Sequence, residues 1–362
     1  VLGGRCMEIV YDEENLKIFM GKATLISGEH PVLIDAFLEN AYEFDVDAIY
    51  DGKEIFVAGI MQHIEEAGIH SGDSSCVVPP YNLSSQDRKT IENYTEMLAS
   101  KLNIIGLLNI QFAIKDDQIY VLEVNPRASR TVPFISKVTN VPIAKIATQI
   151  MLGEKKLNSF QLHSIVQSNL IAIKKPVFPF NKFPSQSIYL SPEMKSTGEV
   201  IGFDSNLGAA YAKAELGAGN NIPISGSVFL SVNNSDKKHI LSIARDLEEL
   251  GFKIVATEGT KTILNENGIC TEKVYKAGEG RPNIIDKIKN KEINLIINTP
   301  LGKQSRFDEY EIGKSAIKYK ISTLTTISAA QAMIRAIRIF KNDKLKYRSL
   351  QTIFNALQLL ES

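Results

Sequence analysis

Between Gln111 and Arg130 the sequence gathers an amide at Gln111, a carboxylate at Glu123, a second amide at Asn125 and guanidinium groups at Arg127 and Arg130. Amide and carboxylate oxygens are hard ligands of the kind that hold a magnesium ion bridging phosphate oxygens. Fork-shaped donors beside such a set suit an acyl phosphate or a triphosphate. A lone Glu-x-Asn at a strand end is ordinarily a solvated polar pair. It is the two arginines that turn this stretch toward phosphate chemistry.

These residues need a hairpin to hold them. Gln111 leads an apolar run, Lys115-Asp-Asp-Gln118 supplies a polar turn, and Ile119 to Val124 alternates again up to Glu123-Val-Asn125. At a strand period of two, Glu123 and Asn125 share a face, and an antiparallel neighbour can bring Gln111 onto it. Upstream, Gly3-Gly4 reads as a plain turn or a phosphate lid, followed by a helix-like Asp12 to Met20 and a buried strand at Pro31 to Asp35. Glu43 to Ile49 alternates acidic and apolar residues as a strand with one wet face, and Asp51-Gly52 turns it into a second strand from Glu54 to Ile60. Glu43, at the end of that pair, is a candidate acceptor for ribose hydroxyls. Gln62 to Ser74 is polar and glycine-punctuated and reads as a working loop, in which Gly68 and Gly72 permit close approach and His70, Ser71 and Ser74 are phosphate-compatible donors. Ser84 can cap a helix over Gln86 to Leu102, with Ile91, Tyr94, Leu98 and Leu102 at helical spacing.

After Arg130 a helix is expected around Ile143 to Leu152. Pro176, Pro179, Pro184 and Pro192 exclude a long helix from Lys174 to Pro192. That stretch is either a linker or an irregular packed wrap, and Val177, Phe178, Phe180 and Phe183 favour the wrap. A helix near Ser205 to Leu216 leads to Gly217-Ala-Gly-Asn-Asn221, the expected domain boundary. Beyond it, strands at Val228–Val232, Lys253–Thr257, Glu272–Tyr275, Leu295–Thr299 and Ile321–Leu324 alternate with helices at Lys237–Leu250, Thr260–Asn267, Pro282–Asn290 and Asp308–Lys318, and a last amphipathic helix starts near Ser328. This is the pattern of a parallel three-layer α/β domain, whose ligands gather at the carboxyl ends of strands. Thr257-Glu-Gly-Thr260 opens a helix at such an end. Lys237, Lys276, Gly280-Arg-Pro282, Asn298 and Thr299 come from neighbouring ends, a set that fits a phosphate.

Composition narrows the classes. With 41 basic and 41 acidic side chains there is no electrostatic case for nucleic acid or an anionic membrane. A hydrophobic content of 44% suffices for packed cores in a chain of 362 residues, enough for two or three domains. No apolar run approaches the ~20 residues that span a bilayer. No signal peptide is visible, and Cys6, Cys76 and Cys270 lack metal or disulfide spacing, which points to a reducing cytoplasm. The opening Val1-Leu-Gly-Gly-Arg5, without an initiating Met, reads as the start of a fragment.

The order of the Gly-Gly loop, Glu43-Phe-Asp-Val-Asp47, Ala67-Gly-Ile-His-Ser-Gly-Asp-Ser74, Gln111-Phe112 and Glu123-Val-Asn-Pro-Arg-Ala-Ser-Arg-Thr-Val-Pro-Phe134 closely resembles the carboxy-terminal half of the carbamoyl phosphate synthetase large-subunit family. The likeness continues through Asn181-Lys-Phe-Pro184 and Pro192-Glu-Met-Lys-Ser-Thr-Gly-Glu-Val200 and covers essentially the whole chain. It implies an ATP-grasp unit that phosphorylates carbamate with ATP and Mg²⁺ or Mn²⁺. On it, Gln111, Glu123 and Asn125 match metal ligands, and Gln111 and Glu123 also touch nucleotide phosphates. Leu38 and Glu43 match base and ribose contacts, Gly68, Ile69, His70 and Ser71 the loop packed on the nucleotide, and Arg127 and Arg130 arginines near the transferred phosphate. Ala36 stands where some members have a larger nucleotide-contacting side chain.

The second part resembles the methylglyoxal-synthase-like regulatory domain of the same family through Gly259-Thr260, Glu279-Gly-Arg-Pro282 and Ile296-Ile-Asn-Thr299. In relatives its pocket takes uridine or inosine monophosphate, and Lys237, Thr257, Thr260, Lys276, Asn298 and Thr299 fall on its contacts, while Pro300 replaces a hydroxyl-bearing residue. Glu65, Asp73, Glu193 and Thr323 match positions that bind the activator ornithine in enterobacterial relatives.

The expected fold is thus a partial ATP-grasp domain over 1–219, with 131–219 as its helical and irregular completion, followed by a doubly wound parallel α/β domain over 222–362. The resemblance also implies a glutaminase small subunit as partner through an amino-terminal half, an Arg-Pro-Ser-Tyr segment before the Gly-Gly loop, and inactivity of this chain by itself. Alternatives are another ATP-grasp ligase or carboxylase, and a non-catalytic nucleotide-binding regulatory chain.

Overall fold

A computed structural model describes residues 7–10, 12–27, 31–39, 41–65, 67–162, 170–180, 182, 190–299, 303–342 and 345–361. The Gly3-Gly4 loop, Asn181, Phe183, Pro184 and Pro300 lie outside the described residues. In chain order the first part runs α1 (Glu13–Ser27), β1 (Tyr42–Tyr50), β2 (Ile55–His63), β3 (Cys76–Val78), α2 (Ser85–Lys101), β4 (Gly106–Lys115), β5 (Gln118–Asn125), α3 (Val132–Thr139), α4 (Ile143–Met151), β6 (Ile171–Val177), β7 (Gly198–Asp204) and α5 (Leu207–Gly217). Its seven strands form one antiparallel sheet in the order β5-β4-β1-β2-β3-β6-β7.

Local chemistry accounts for the junctions. The Ser84 side chain accepts from the Asp87 amide and caps α2, as the sequence predicts. Asp116 and Asp117, both with positive φ, make the two-residue turn between β4 and β5. Phe44, Val46, Ala48 and Tyr50 on one face of β1 pack with Leu108, Ile110 and Phe112 of β4 beneath Ile91 and Ala99 of α2. On the opposite face, Ile49, Met61 and Val78 pack against α3 and α4.

Several expectations are corrected. The acidic face of β1 is not wet: Asp45 and Asp47 are 1% and 0% exposed, because α3 and the loop after β5 cover it. Gln62 and His63, read as loop, end a buried strand. Among the described residues Pro31 to Asp35 forms no strand and has no partner strand, and Leu33 and Ile34 are 82% and 61% exposed. Lys174 to Val177 lies on β6. Pro176 is tolerated there because pairing to β3 ends at Lys174, leaving that side of the strand without a ladder to break. Phe178 and Phe180 stack at 4.9 Å, as a packed segment would.

The second part runs β8 (Gly226–Val232), α6 (Lys237–Glu249), β9 (Phe252–Ala256), α7 (Glu258–Glu266), β10 (Thr271–Lys273), α8 (Ile284–Lys289), β11 (Leu295–Thr299), α9 (Lys303–Tyr319), β12 (Ser322–Leu324), α10 (Ile327–Lys341) and α11 (Leu350–Glu361). Its five strands are all parallel in the order β10-β9-β8-β11-β12, as the alternating pattern requires. Val228, Leu230, Ile254, Leu295 and Ile297 face α6, α7 and α10, while Phe229, Val255 and Ile296 face α8 and α9, so helices cover both faces. The chain winds outward from β8 in one direction and from β11 in the other, which makes their junction the switch point. Helix α11 has no counterpart in the sequence reading. It returns to the first sheet, where Leu350, Ile353 and Phe354 pack on that core and the Phe354 ring lies 6.0 Å from Phe203.

Helix α5 joins the two sheets. A Cβ on Gly202 of β7 would stand 1.9 Å from the Ala210 carbonyl oxygen and 2.6 Å from the Ala214 nitrogen, both α5 backbone. On its other side a Cβ at Gly208 would stand 2.6 Å from the Arg335 oxygen of α10. Backbone therefore meets backbone on both faces of the helix, which only glycine permits. Gly202→Ala is expected to displace α5 and destabilise the protein by about 1–3 kcal/mol, measured by urea unfolding; an unchanged midpoint would contradict this packing.

Candidate functional site

Two in-register rows cross the sheet. Asp45 pairs with Gln111 and Gln111 with Glu123; Asp47 pairs with Asn109 and Asn109 with Asn125. In a pleated sheet, directly opposed residues present side chains to one face. The rows thus form a polar stripe running from the buried centre at β1 to the exposed edge at β5.

A bulge makes the alignment possible. From the turn, Lys115 pairs with Gln118 and Phe112 with Val121, a register that would set Gln111 opposite Leu122. The register shifts between Gln111 and Phe112, Leu122 drops out of the pairing, and Gln111 meets Glu123. Gln111, Glu123 and Asn125 are thereby brought together as expected. Asn125 Nδ2 donates to Glu123 Oε1 at 2.7 Å, and Arg127 donates to Asn125 Oδ1 at 3.3 Å. Arg127 and Arg130 are exposed at this edge. The Arg130 guanidinium meets the Met194 sulfur, a neighbour that sequence reasoning missed.

The buried end of the stripe holds His63, Asp45, Asp47 and Asn109, none of them singled out in the sequence. His63 Nδ1 lies 3.0 Å from Glu43 Oε2 and Nε2 lies 2.9 Å from Asp45 Oδ2. Burial pulls the imidazole pKa down, but neighbouring Cys76, Asp45 and Glu43 outweigh it and hold His63 well above the usual histidine range. Burial likewise raises Asp45, and His63 more than reverses this, so the pair is ionic. Asn109 Nδ2 bridges Asp45 and Asp47 at 3.4 and 3.0 Å. The signal for this cluster was the acid alternation itself, together with Asn109 two positions before Gln111.

Glu43 also accepts from the Gly68 amide at 3.3 Å, so the loop bearing Gly68 closes onto it. Gly68 is needed at φ 90°, and a Cβ there would stand 2.7 Å from the Phe37 ring, which places the half-buried Leu38 segment beside Gly68 and Ile69. His70 Nδ1 accepts from the Gly72 amide at 2.9 Å, leaving Nε2 as the donor. Burial chiefly, with Arg130 and Lys174 adding, lowers the His70 pKa and keeps it neutral. Ser71 offers its carbonyl to the buried Lys174 ammonium at 2.6 Å, and Asp73 accepts from the amides of Lys195 and Ser196, each at 2.8 Å. The 70–74 loop is therefore pinned from below by β6 and from the side by residues 194–196.

At the β8/β11 switch point Thr260 Oγ1 accepts from the Val232 amide at 3.1 Å and Thr299 Oγ1 from the Asn233 amide at 3.3 Å. Thr257, Thr260, Asn298 and Thr299 are buried together there. The Lys237 ammonium lies over Gly259 in the first turn of α7, where an added Cβ would stand 3.5 Å from it. Lys276 stands further out, 4.0 Å from Asp308. Asn233, which holds Thr299, was missed. Between the sheets lies a cavity of about 470 Å³, lined by Glu65, Asp73, Lys175, Glu215 and Thr323. Lys175 fills part of its acidic wall, 2.8 Å from Glu215. Glu193 is exposed and does not line it. No described helix is long and apolar enough to cross a membrane.

The carbamoyl-phosphate synthase L chain ATP-binding domain family matches residues 1–159, and the MGS-like domain family matches residues 239–325. The carbamoyl phosphate synthase large chain of Archaeoglobus fulgidus is 51% identical over 352 residues, covering 97% of this chain and 33% of that protein. The C-terminal section of the large chain of Aquifex aeolicus is 45% identical over 375 aligned positions, covering 98% of this chain and 70% of that protein. The corresponding section in Methanocaldococcus jannaschii is 48% identical over 363, covering 98% of this chain and 59% of that protein. The chain thus spans about a third of the length of the undivided Archaeoglobus large chain.

His63 sits between carboxylates that would be stranded without it. Its raised pKa contributes stability fully present below its unfolded value of 6.5 and lost as pH rises through the folded value. The lowered Asp45 contributes above 3.8 and loses this as pH falls through its folded value. His63→Gln should therefore lower stability at pH 7 by about 3–5 kcal/mol, read by denaturant unfolding, and a loss under 1 kcal/mol would refute the ionic pairing.

Proposed function

Because the chain belongs to the carbamoyl phosphate synthase large-chain family, we propose that its antiparallel sheet carries the site at which ATP phosphorylates carbamate, and its parallel sheet the domain through which nucleotides regulate that reaction. The observation that carries this reading is the pair of in-register rows ending in Gln111, Glu123 and Asn125 beside Arg127 and Arg130. The division into 1–219 and 222–362 belongs to the same proposal.

The donor set fits a magnesium or manganese ion: two amide oxygens and one carboxylate at an open sheet edge, where nucleotide phosphates and water can complete the shell. Gln111, Glu123 and Asn125 would hold the ion, which supplies neutralisation of phosphate charge. The protein's own work is alignment and charge complementarity. Arg127 and Arg130 donate to the oxygens of the transferred phosphoryl group, where negative charge is concentrated. Leu38, Gly68 and Ile69 take the base, Glu43 accepts from ribose hydroxyls, and neutral His70 offers Nε2–H with Ser71 beside it. Such transfer depends on positioning and needs no covalent nucleophile.

In the second unit, buried hydroxyls at a switch point, the first turn of α7 and the Lys237 ammonium support a nucleoside monophosphate such as uridine or inosine monophosphate, with Thr257, Thr260, Lys276, Asn298 and Thr299 as contacts. Glu65, Asp73 and Thr323 line the junction cavity where a cationic activator such as ornithine would sit. The partner proposed for the complete large chain is a glutaminase small subunit, and the compartment the cytoplasm. A different ATP-grasp ligase fits less well, since the MGS-like match accompanies the ATP-binding one.

Glu123→Gln keeps the hairpin and removes the charge. It is expected to lower carbamate-dependent ADP formation by the intact synthase ~100-fold or more, and an undiminished rate would remove the assigned site. Thr260→Val is expected to weaken binding of the nucleoside monophosphate about tenfold in calorimetry, roughly the 1.4 kcal/mol of one hydrogen bond, while leaving basal turnover unchanged.

A further inference from the structure

Asp47 is fully buried at the middle of β1, with a strong hydrogen-bond donor on each side of its carboxyl group. Oδ1 accepts from Ser129 Oγ at 2.6 Å and from Asn109 Nδ2 at 3.0 Å, and Oδ2 accepts from Thr131 Oγ1 at 2.5 Å. Ser129 and Thr131 also bond each other, Oγ to Oγ1 at 2.7 Å, and the Thr131 amide donates to Ser129 Oγ at 3.2 Å. The residues gripped are the two that flank Arg130. Thr131 in turn precedes α3, and it does not cap that helix with its side chain, so its hydroxyl is committed to Asp47.

We infer that Asp47 is a positioning residue for phosphoryl transfer: its carboxylate clasps the hydroxyls of Ser129 and Thr131 and so fixes the backbone from which Arg130 reaches the phosphate. The inference rests on the phosphate role proposed above for Arg130. Among the described residues no other contact does the same work for this loop. The turn at 125–127 is closed by its own Arg127 amide to Asn125 carbonyl bond, and beyond it only the clasp ties 129–131 down to the sheet.

Holding this carboxyl group buried carries a cost. Burial chiefly pushes the Asp47 carboxyl up to about 6 from an ordinary value of 3.8; neighbouring Asp45 adds to this, while Ser129, Thr131 and Asn109 oppose it. The charged groups facing it are Asp45 on its own strand and, across Asp45, His63 on β2. Between pH 3.8 and 6 the folded state keeps a proton that the unfolded chain has released, so stability declines with rising pH across that window. At neutral pH the carboxylate is ionised at a cost to the fold, and it retains two hydroxyl donors that an amide would grip less firmly.

The test is a double-mutant cycle in the intact synthase, with carbamate-dependent ADP formation at pH 8 as the readout. Asp47→Asn is expected to lower kcat ~10- to 100-fold with the KM for ATP changed less than about threefold, and with a melting temperature no lower than that of the wild type. In an Arg130→Ala background the same change is expected to add no further loss, because the group it positions is gone. Full multiplicative loss in that background, or unchanged kcat in the single variant, would overturn the inference. Normal turnover by Arg130→Ala alone would instead remove the phosphate role of Arg130, a separate failure that the cycle reads directly. Should Asp47→Asn not fold, Ser129→Ala, which removes one clasping hydroxyl from an exposed loop, is read in the same cycle with the same criteria.

Discussion

Three carboxylates on one face of one strand have to be matched before β1 can be buried, and the rest of the site follows from how that is done. An ionised carboxylate taken out of water without partners costs several kcal/mol. Glu43 and Asp45 are answered by one protonated His63 from β2, and Asp47 by Asn109 from β4 and by the hydroxyls of Ser129 and Thr131. Each partner comes from a different element. Satisfying the strand therefore draws in the neighbouring strands, the loop after the β4–β5 hairpin and, through Glu43 and the Gly68 amide, the loop bearing Gly68 and His70.

That polar logic passes outward along the rows. At β1 the stripe is anionic and enclosed; at β4 it is neutral amide; at β5 it is a carboxylate and an amide at an open edge. Charge that would be expensive at the centre is held by fixed partners, and the Glu123 carboxylate, for which the metal role is proposed, is left at an open edge. The bulge at Leu122 is the mechanical device that makes this possible, since a regular hairpin would have turned Glu123 to the other face.

The two sheets are mechanically continuous. Helix α5 is held backbone to backbone between β7 and α10, and the loop after β2 is tied to the segment before α10: Thr326 Oγ1 donates to the Ile64 carbonyl at 2.9 Å and Thr325 Oγ1 to Glu65 at 3.2 Å. Glu65 also accepts from Ser75 at 3.2 Å. A shift at the carboxyl end of β12 thus reaches the loop bearing Gly68 and His70 through one layer of side chains, which is a physical connection of the kind coupling between sites requires.

Much of this was local and therefore legible. The parallel sheet announced itself because its central strands β8, β9 and β11 are largely apolar runs bounded by helix signals, and the hairpin did so through Asp116-Asp117 between alternating segments. Ser84 capped as its position demanded, and Gln111, Glu123 and Asn125 carry hard oxygen donors wherever the chain places them. What the residues alone did not decide was partnership. The apolar run at Pro31 to Asp35 looked like a strand but met none, the acids of β1 looked solvated but were enclosed, and α11 crossed back to a core far away in sequence. Residue type determines which groups are able to bind metal, phosphate or a proton, because that is covalent chemistry. Register, burial and pKa depend on what lies across the strand and above it, and for Glu123, His63 and Asp47 only the tertiary structure decided those.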